Sequence, residues 1–303
     1  MCLVFFYINP DFEKAPANHV RFAMLFNREE LWSRQTIPLE PFEEDHNIYA
    51  GRDKAEGGTW LGVNKQTGNL CFLTNRFLFK NLISQAFSWP SLVSRPISRG
   101  NVLKPYLETN FIEKALLKDK NKIHEKQLDY VNDIFSKYSL FGSCQCIYGN
   151  LKNMKFYHLC NVEQDPPKEV EPGYHTLCSY NHFQGKKLQK EEIGIHVFKK
   201  IIESYHTEVD KNKNYDIDKV FESMWKLGKD RQPRQRNLFK LMVDKESSIF
   251  LPKYQSKLRK NERGTKSVSC YLFLNNGLSY VREHSIDHND QELYRSHHLK
   301  MSY

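Results

Sequence analysis

The order in which apolar patterns occur along the chain constrains its fold most strongly. Continuous apolar runs at residues 2–8 and 20–26 read as buried strands, joined by a loop containing Pro and Asn. Gly57-Gly58-Thr59-Trp60-Leu61-Gly62-Val63 reads as a turn feeding a strand, and Leu70 to Thr74 as a further strand after the turn Gly68-Asn69. A helical pattern covers 111–137, strands follow at about 143–148, 154–159 and 174–180, and amphipathic helices at about 191–206 and 216–227. The last pair, 267–274 and 278–283, brackets Asn275-Asn276-Gly277, and Asn-Gly suits a type I′ hairpin turn. Such grouping is not the alternation that builds a doubly wound parallel sheet. It predicts an α+β fold with helices layered over mostly antiparallel sheets, in one domain over 1–303 with a polar tail at about 285–303.

With 303 residues, 40% of them hydrophobic and 13% aromatic, the chain can bury a core without covalent staples. Its seven cysteines are odd in number, fall mostly in strand-like runs and form no CxxC pair, which points to reduced thiols in an intracellular compartment. The apolar start lacks a basic flank and is cut short by Asn9-Pro10, so neither a leader nor a membrane span is expected. The formal charge of +9 favours anionic partners. Twelve histidines show no zinc spacing, so no metal is expected. The basic stretch 226–240 lacks the interleaved aromatics of a nucleic-acid platform and reads as a solvated face that can meet phosphates or a membrane surface.

Cys2 stands out by position. Removal of Met1 would give it both a thiol and a free α-amine, whose ordinary pKa of about 7.7–8.0 suits a general base. Equally, Cys2 is a small apolar residue starting a buried strand. Asn27-Arg28-Glu29-Glu30 ends the next strand, where Arg28 can clamp an anion or lower the thiol pKa and Asn27 can donate to an oxyanion, or the four can form a surface turn. Asn75 is a second candidate oxyanion donor or a turn residue. Gly57 and Gly58 mark a turn or a close approach of ligand to main chain. Ser98-Arg99-Gly100 presents main-chain amides or caps a helix.

Met1-Cys2, Asn27-Arg28-Glu29-Glu30, Ala50-Gly51-Arg52-Asp53, Gly57 to Val63, Leu73-Thr74-Asn75 and Ser98-Arg99-Gly100 occur in this order, with Gly264-Thr265-Lys266 and Arg282-Glu283 later. Together they resemble the transport and Golgi organisation 2 family, also called the NRDE family. The resemblance implies a four-layer αββα sandwich like that of N-terminal nucleophile hydrolases. Under it Cys2 is nucleophile and base, Arg28 and Glu29 orient its amine and thiol, Asn75 and Asn181 bind the oxyanion, and Lys266 holds a carboxylate. The implied ligand-binding set is Asn27, Arg28, Gly57, Gly58, Trp60 and Arg99. Glu29 stands where the motif has Asp, and Lys266 where it has Arg, which removes a bidentate fork.

The family also implies a role in intracellular haem trafficking from haem-rich stores or mitochondria, with haem as cargo rather than a required cofactor. The alternatives are a Cys2-dependent amidase or acyltransferase, and an acyl-CoA or lipid-binding module in lipid homeostasis. The expected partners are haem or another amphipathic anion such as acyl-CoA, with peripheral membrane contact and no nucleic acid. The implied compartment is cytoplasmic, associated with mitochondria or Golgi.

Overall fold

Strand β1 (Leu3–Ile8) and strand β2 (Val20–Leu31) are buried on both faces. Successive side chains of a strand point to opposite sides. Val4, Phe6 and Ile8 therefore share one face with Phe22, Met24 and Phe26, while Leu3, Phe5 and Tyr7 share the other with Ala23 and Leu25. A sheet apolar on both faces needs cover on both. That requirement dictates the layers.

The computed structural model describes residues 2–76, 98–110, 120–137, 141–163, 166–181, 183–211, 215–233, 248–255 and 261–302. Next come β3 (Thr36–Pro41), β4 (Ile48–Asp53), β5 (Leu61–Asn64) and β6 (Asn69–Asn75), then β7 (Cys144–Asn150), β8 (Lys155–Cys160), β9 (Lys168–Glu169) and β10 (Gly173–Cys178). β11 (Tyr254–Gln255), β12 (Glu262–Leu274), β13 (Leu278–Ile286) and β14 (Glu292–Lys300) close the chain. One sheet runs β10-β1-β2-β12-β13-β14 with β11 beside β12; the other runs β3-β4-β5-β6-β7-β8-β9. All pairings are antiparallel.

Helices α1 (Lys104–Glu108) and α2 (Lys120–Ser136) cover the second sheet, with Tyr106, Leu107 and Val131 against Cys71, Cys146 and Tyr148. Helices α3 (Gln189–Lys211) and α4 (Ile217–Gly228) cover the first, with Phe198, Ile202, Phe221 and Met224 against Phe5, Leu25 and Leu272. Asp216 caps α4 by accepting from Asp218 N. The result is the αββα sandwich that the family resemblance implies, and it matches the helices over antiparallel sheets expected from the sequence pattern. Between the sheets Phe22 stacks on Phe156 at 5.2 Å and packs against Phe6 and Phe273. Each such buried ring contributes about 1.5–3 kcal/mol. Glu283 spans the same interface: it accepts from Ser269 Oγ (2.7 Å) on its own sheet and from Leu39 N (3.0 Å) on the other. Burial raises its pKa, and the Ser269 and Leu39 hydrogen bonds and the Arg28 charge oppose that rise.

Two segments differ from expectation. The polar segment expected as a tail contains β14, which pairs with β13 from Leu278↔Lys300 to Ile286↔Glu292. As an outermost strand it is buried only in part, so its sequence has no need of an apolar run. The helix expected over 111–137 is described from Lys120 to Ser136, and 111–119 lie outside the described residues.

Candidate active site

The register Leu3↔Asn27 sets Cys2 beside Arg28, and both share the inward parity of Val4 and Phe26. Ser267 is paired with Arg28 on β12 and Ser285 with Ser267 on β13. A polar row thus crosses four strands at one end of the sandwich, with exposures of 7% for Cys2, 4% for Arg28, 4% for Ser267 and 7% for Ser285. The hydroxyls of Ser267 and Ser285 have no hydrogen-bond partner among the described residues.

Cys2 N donates to Ser179 Oγ (3.1 Å), just beyond β10, and Cys2 Sγ lies 3.6 Å from Glu29 O. Burial pushes the thiol pKa up; the amino-terminal charge and Arg28 oppose that shift. The Arg28 guanidinium stacks 3.9 Å above the Trp60 ring and lies 3.6 Å from the Glu30 carboxylate. Trp60 in turn needs Gly51, because a Cβ there would come within 2.3 Å of the indole. Gly58 and Gly100 meet backbone to backbone, a Cβ at Gly58 falling 2.5 Å from Gly100 C, and Thr59 N donates to Gly100 O. These contacts account for three of the glycine-bearing motifs in the sequence. They fix one wall of a cavity of about 70 Å³ lined in part by Cys2, Arg28, Trp60, Asn75 and Arg99.

The sequence candidates divide into two groups. Cys2, Arg28, Gly58, Trp60, Asn75 and Arg99 line this cavity. Asn27 does not: strand alternation turns it to the helical side, where its amide donates to Gly228 O and Ile249 O. Glu29 does not line the cavity either: its carboxylate takes Arg263 in a two-pronged ion pair at 2.6 and 3.0 Å and lies within reach of the amino-terminal charge. Burial would raise its pKa, but the amino-terminal charge and Arg263 prevail and hold it at about 2. Gly57 serves the turn instead, with φ +71° and open space where a side chain would stand.

Asn181 donates its amide to Glu191, a buried carboxylate that also receives Thr176 Oγ1 and Leu188 N. That places it in the anchorage of α3 and off the cavity lining. Lys266 sits at a bulge in β12 and donates to the Trp32 and Asp287 carbonyls rather than to a carboxylate. Burial and the nearby Arg28 charge lower its pKa to about 8. Of the basic stretch, Arg231 stacks over Phe250, while 234–240 lie outside the described residues.

Sequence reading missed Ser179, Arg263 and the Arg34–Asp53 pair (2.5 Å) on the cavity wall. Asp53 ends the Ala50-Gly51-Arg52-Asp53 motif and Arg263 adjoins Gly264-Thr265-Lys266, which was the available signal; Ser179 had none. Among the described residues no cluster of His, Cys, Asp or Glu fits a metal ion, and no helix is long and apolar enough to cross a membrane.

Fold and site together define an αββα sandwich with a strand-initial cysteine facing a polar cavity. The chain belongs to the Transport and Golgi organisation 2 family, whose model matches residues 1–288. No match was found among curated proteins. Among solved structures it is similar to the Caenorhabditis elegans N-acylethanolamine-hydrolyzing acid amidase ortholog, at 10% identity and a TM-score of 0.44, over 91% of this chain and 93% of that one.

Proposed function

We propose that the Cys2 cavity carries out acyl transfer, cleaving an amide or thioester. The observation behind this reading is the placement of Cys2 at a strand start, with its thiol lining a polar cavity and its main-chain nitrogen 3.1 Å from Ser179 Oγ. Burial disfavours the thiolate here, so the thiol needs a local base. With Met1 removed, the Cys2 α-amine supplies one. In the proposed cycle the sulfur attacks the acyl carbon, the thiol proton passes to the amine, and the leaving group departs with that proton. Water then hydrolyses the thioester and restores the thiol. Asn75 donates to the oxyanion and Arg28 adds positive charge beside it. Intact mass of the protein from cells, followed by turnover of acyl thioesters and amides by wild type and Cys2→Ala, tests the reading. Retained Met1, or turnover unchanged in Cys2→Ala, rejects it.

A second reading is haem trafficking, supported by family membership and the basic, aromatic-rich composition. Titration with haem should give a saturable spectral shift in the micromolar range and transfer to an apo-acceptor. Neither being seen removes this reading. Liposome binding by the purified protein tests the lipid-surface alternative, and localisation in cells tests the mitochondrial and Golgi association.

A further inference from the structure

Three arginines line the Cys2 cavity, and they are not alike. Arg28 has the Glu30 carboxylate at 3.6 Å and Arg34 has Asp53 at 2.5 Å, and both acids are themselves part of the wall. Arg99 has no carboxylate partner among the described residues; its one hydrogen bond there is a long one, from Nη1 to the Ser143 carbonyl at 3.4 Å. The stretch 77–97 that leads into it contains no Asp or Glu. Among the described residues that line the cavity, three cations stand against two anions, an excess of one positive charge.

Arg99 is also held firmly. Its neighbour Gly100 is pressed against Gly58 and accepts from Thr59 N at 3.2 Å, so the guanidinium starts from a fixed point on the wall. A partly buried cation in a fixed place and without a counter-charge is complementary to an anion brought by the ligand. Arg99 and Cys2 line the same cavity, so the anion and the atom facing Cys2 belong to one bound molecule.

We infer that Arg99 binds a carboxylate on the ligand, so that the cavity selects acyl compounds carrying a carboxylate as well as the carbonyl that faces Cys2. This rests on the acyl-transfer reading for the word acyl, but the anion preference itself can be measured without turnover. Iodoacetate and iodoacetamide are nearly equal in size and differ in charge. Both alkylate a reachable thiolate, forming a carbon–sulfur bond and releasing iodide.

The test is the ratio of Cys2 alkylation rates by the two reagents, read by peptide mass and divided by the same ratio for N-acetylcysteine. Arg99 should raise that quotient about tenfold in the intact protein, the size of one charge-assisted hydrogen bond. Arg99→Ala should return it to near one, Arg99→Lys should keep part of it, and added salt should lower it in the unmodified protein. An equal quotient in wild type and Arg99→Ala, or one indifferent to salt, overturns the inference and leaves the acyl-transfer reading standing. A Cys2 that neither reagent reaches overturns both. A preserved preference with turnover unchanged in Cys2→Ala retains the anion site and removes the catalytic reading.

Discussion

The two ends of the space between the sheets are built on opposite principles. At one end Phe6, Phe22, Phe156 and Phe273 pack ring against ring, and at the other Cys2, Arg28, Ser267 and Ser285 form a row across four strands. The aromatic end supplies hydrophobic stabilisation. The polar end buries donors and charges, some without partners, and such groups cost free energy unless they are satisfied. The difference teaches that one sandwich can anchor itself at one end and keep the other for chemistry.

The largest expected effect comes from the aromatic end. Phe22→Ala should destabilise the fold by about 3–5 kcal/mol in urea unfolding, while leaving Cys2 alkylation unchanged below the transition. A matching loss of Cys2 reactivity would mean the two ends are not separable. At the polar end Glu29 gives a pH signature. Its folded pKa of about 2 lies below the ordinary 4.5, so its contribution is fully present above pH 4.5 and is lost as pH falls towards 2. The acid limb should amount to about 3 kcal/mol and should flatten in Glu29→Gln. A limb of the same depth in the variant would assign it to other carboxylates.

Glu283 should behave with the opposite sign. Its folded pKa is raised, so stability is greatest below pH 4.5 and falls as pH rises through the folded value. Glu283→Gln should abolish that decline, visible as melting curves that converge at low pH. A wild-type curve with no such decline would place the carboxyl in a more hydrated setting. Least affected should be Ser267→Ala, at under about 0.5 kcal/mol, because its hydroxyl is already unpartnered. A cost above about 1 kcal/mol would reveal a bridging water.

Much of the layering could be read from sequence because β1, β2, β6 and the β12–β13 hairpin carry apolar runs or an Asn-Gly turn. β14 could not, since an outermost strand with alternate residues exposed needs no such run. Of the site, Cys2, Arg28, Gly58, Trp60, Asn75 and Arg99 were visible as residue types at the ends of elements. Asn27 was misplaced for want of strand parity, which a motif written as four letters does not convey. Lys266 was misplaced by a β-bulge between Thr265 and Ser267, which nothing in the local sequence announces. Ser179 and Arg263 reach the Cys2 and Glu29 positions only through pairings that join distant parts of the chain.

Strand order also carries a timetable for synthesis. The second sheet is drawn from one uninterrupted stretch, residues 36–169, and can assemble while the chain is still being made. The first sheet cannot: β1 waits for β10, and β2 waits for β12, which emerges more than two hundred residues later. Cys2 and Arg28 therefore leave the ribosome well before the strands that flank them, and reach those neighbours among the last. During that interval the segment bearing Cys2 stays open to processing, and the cavity closes around it only once β10 and β12 have been made.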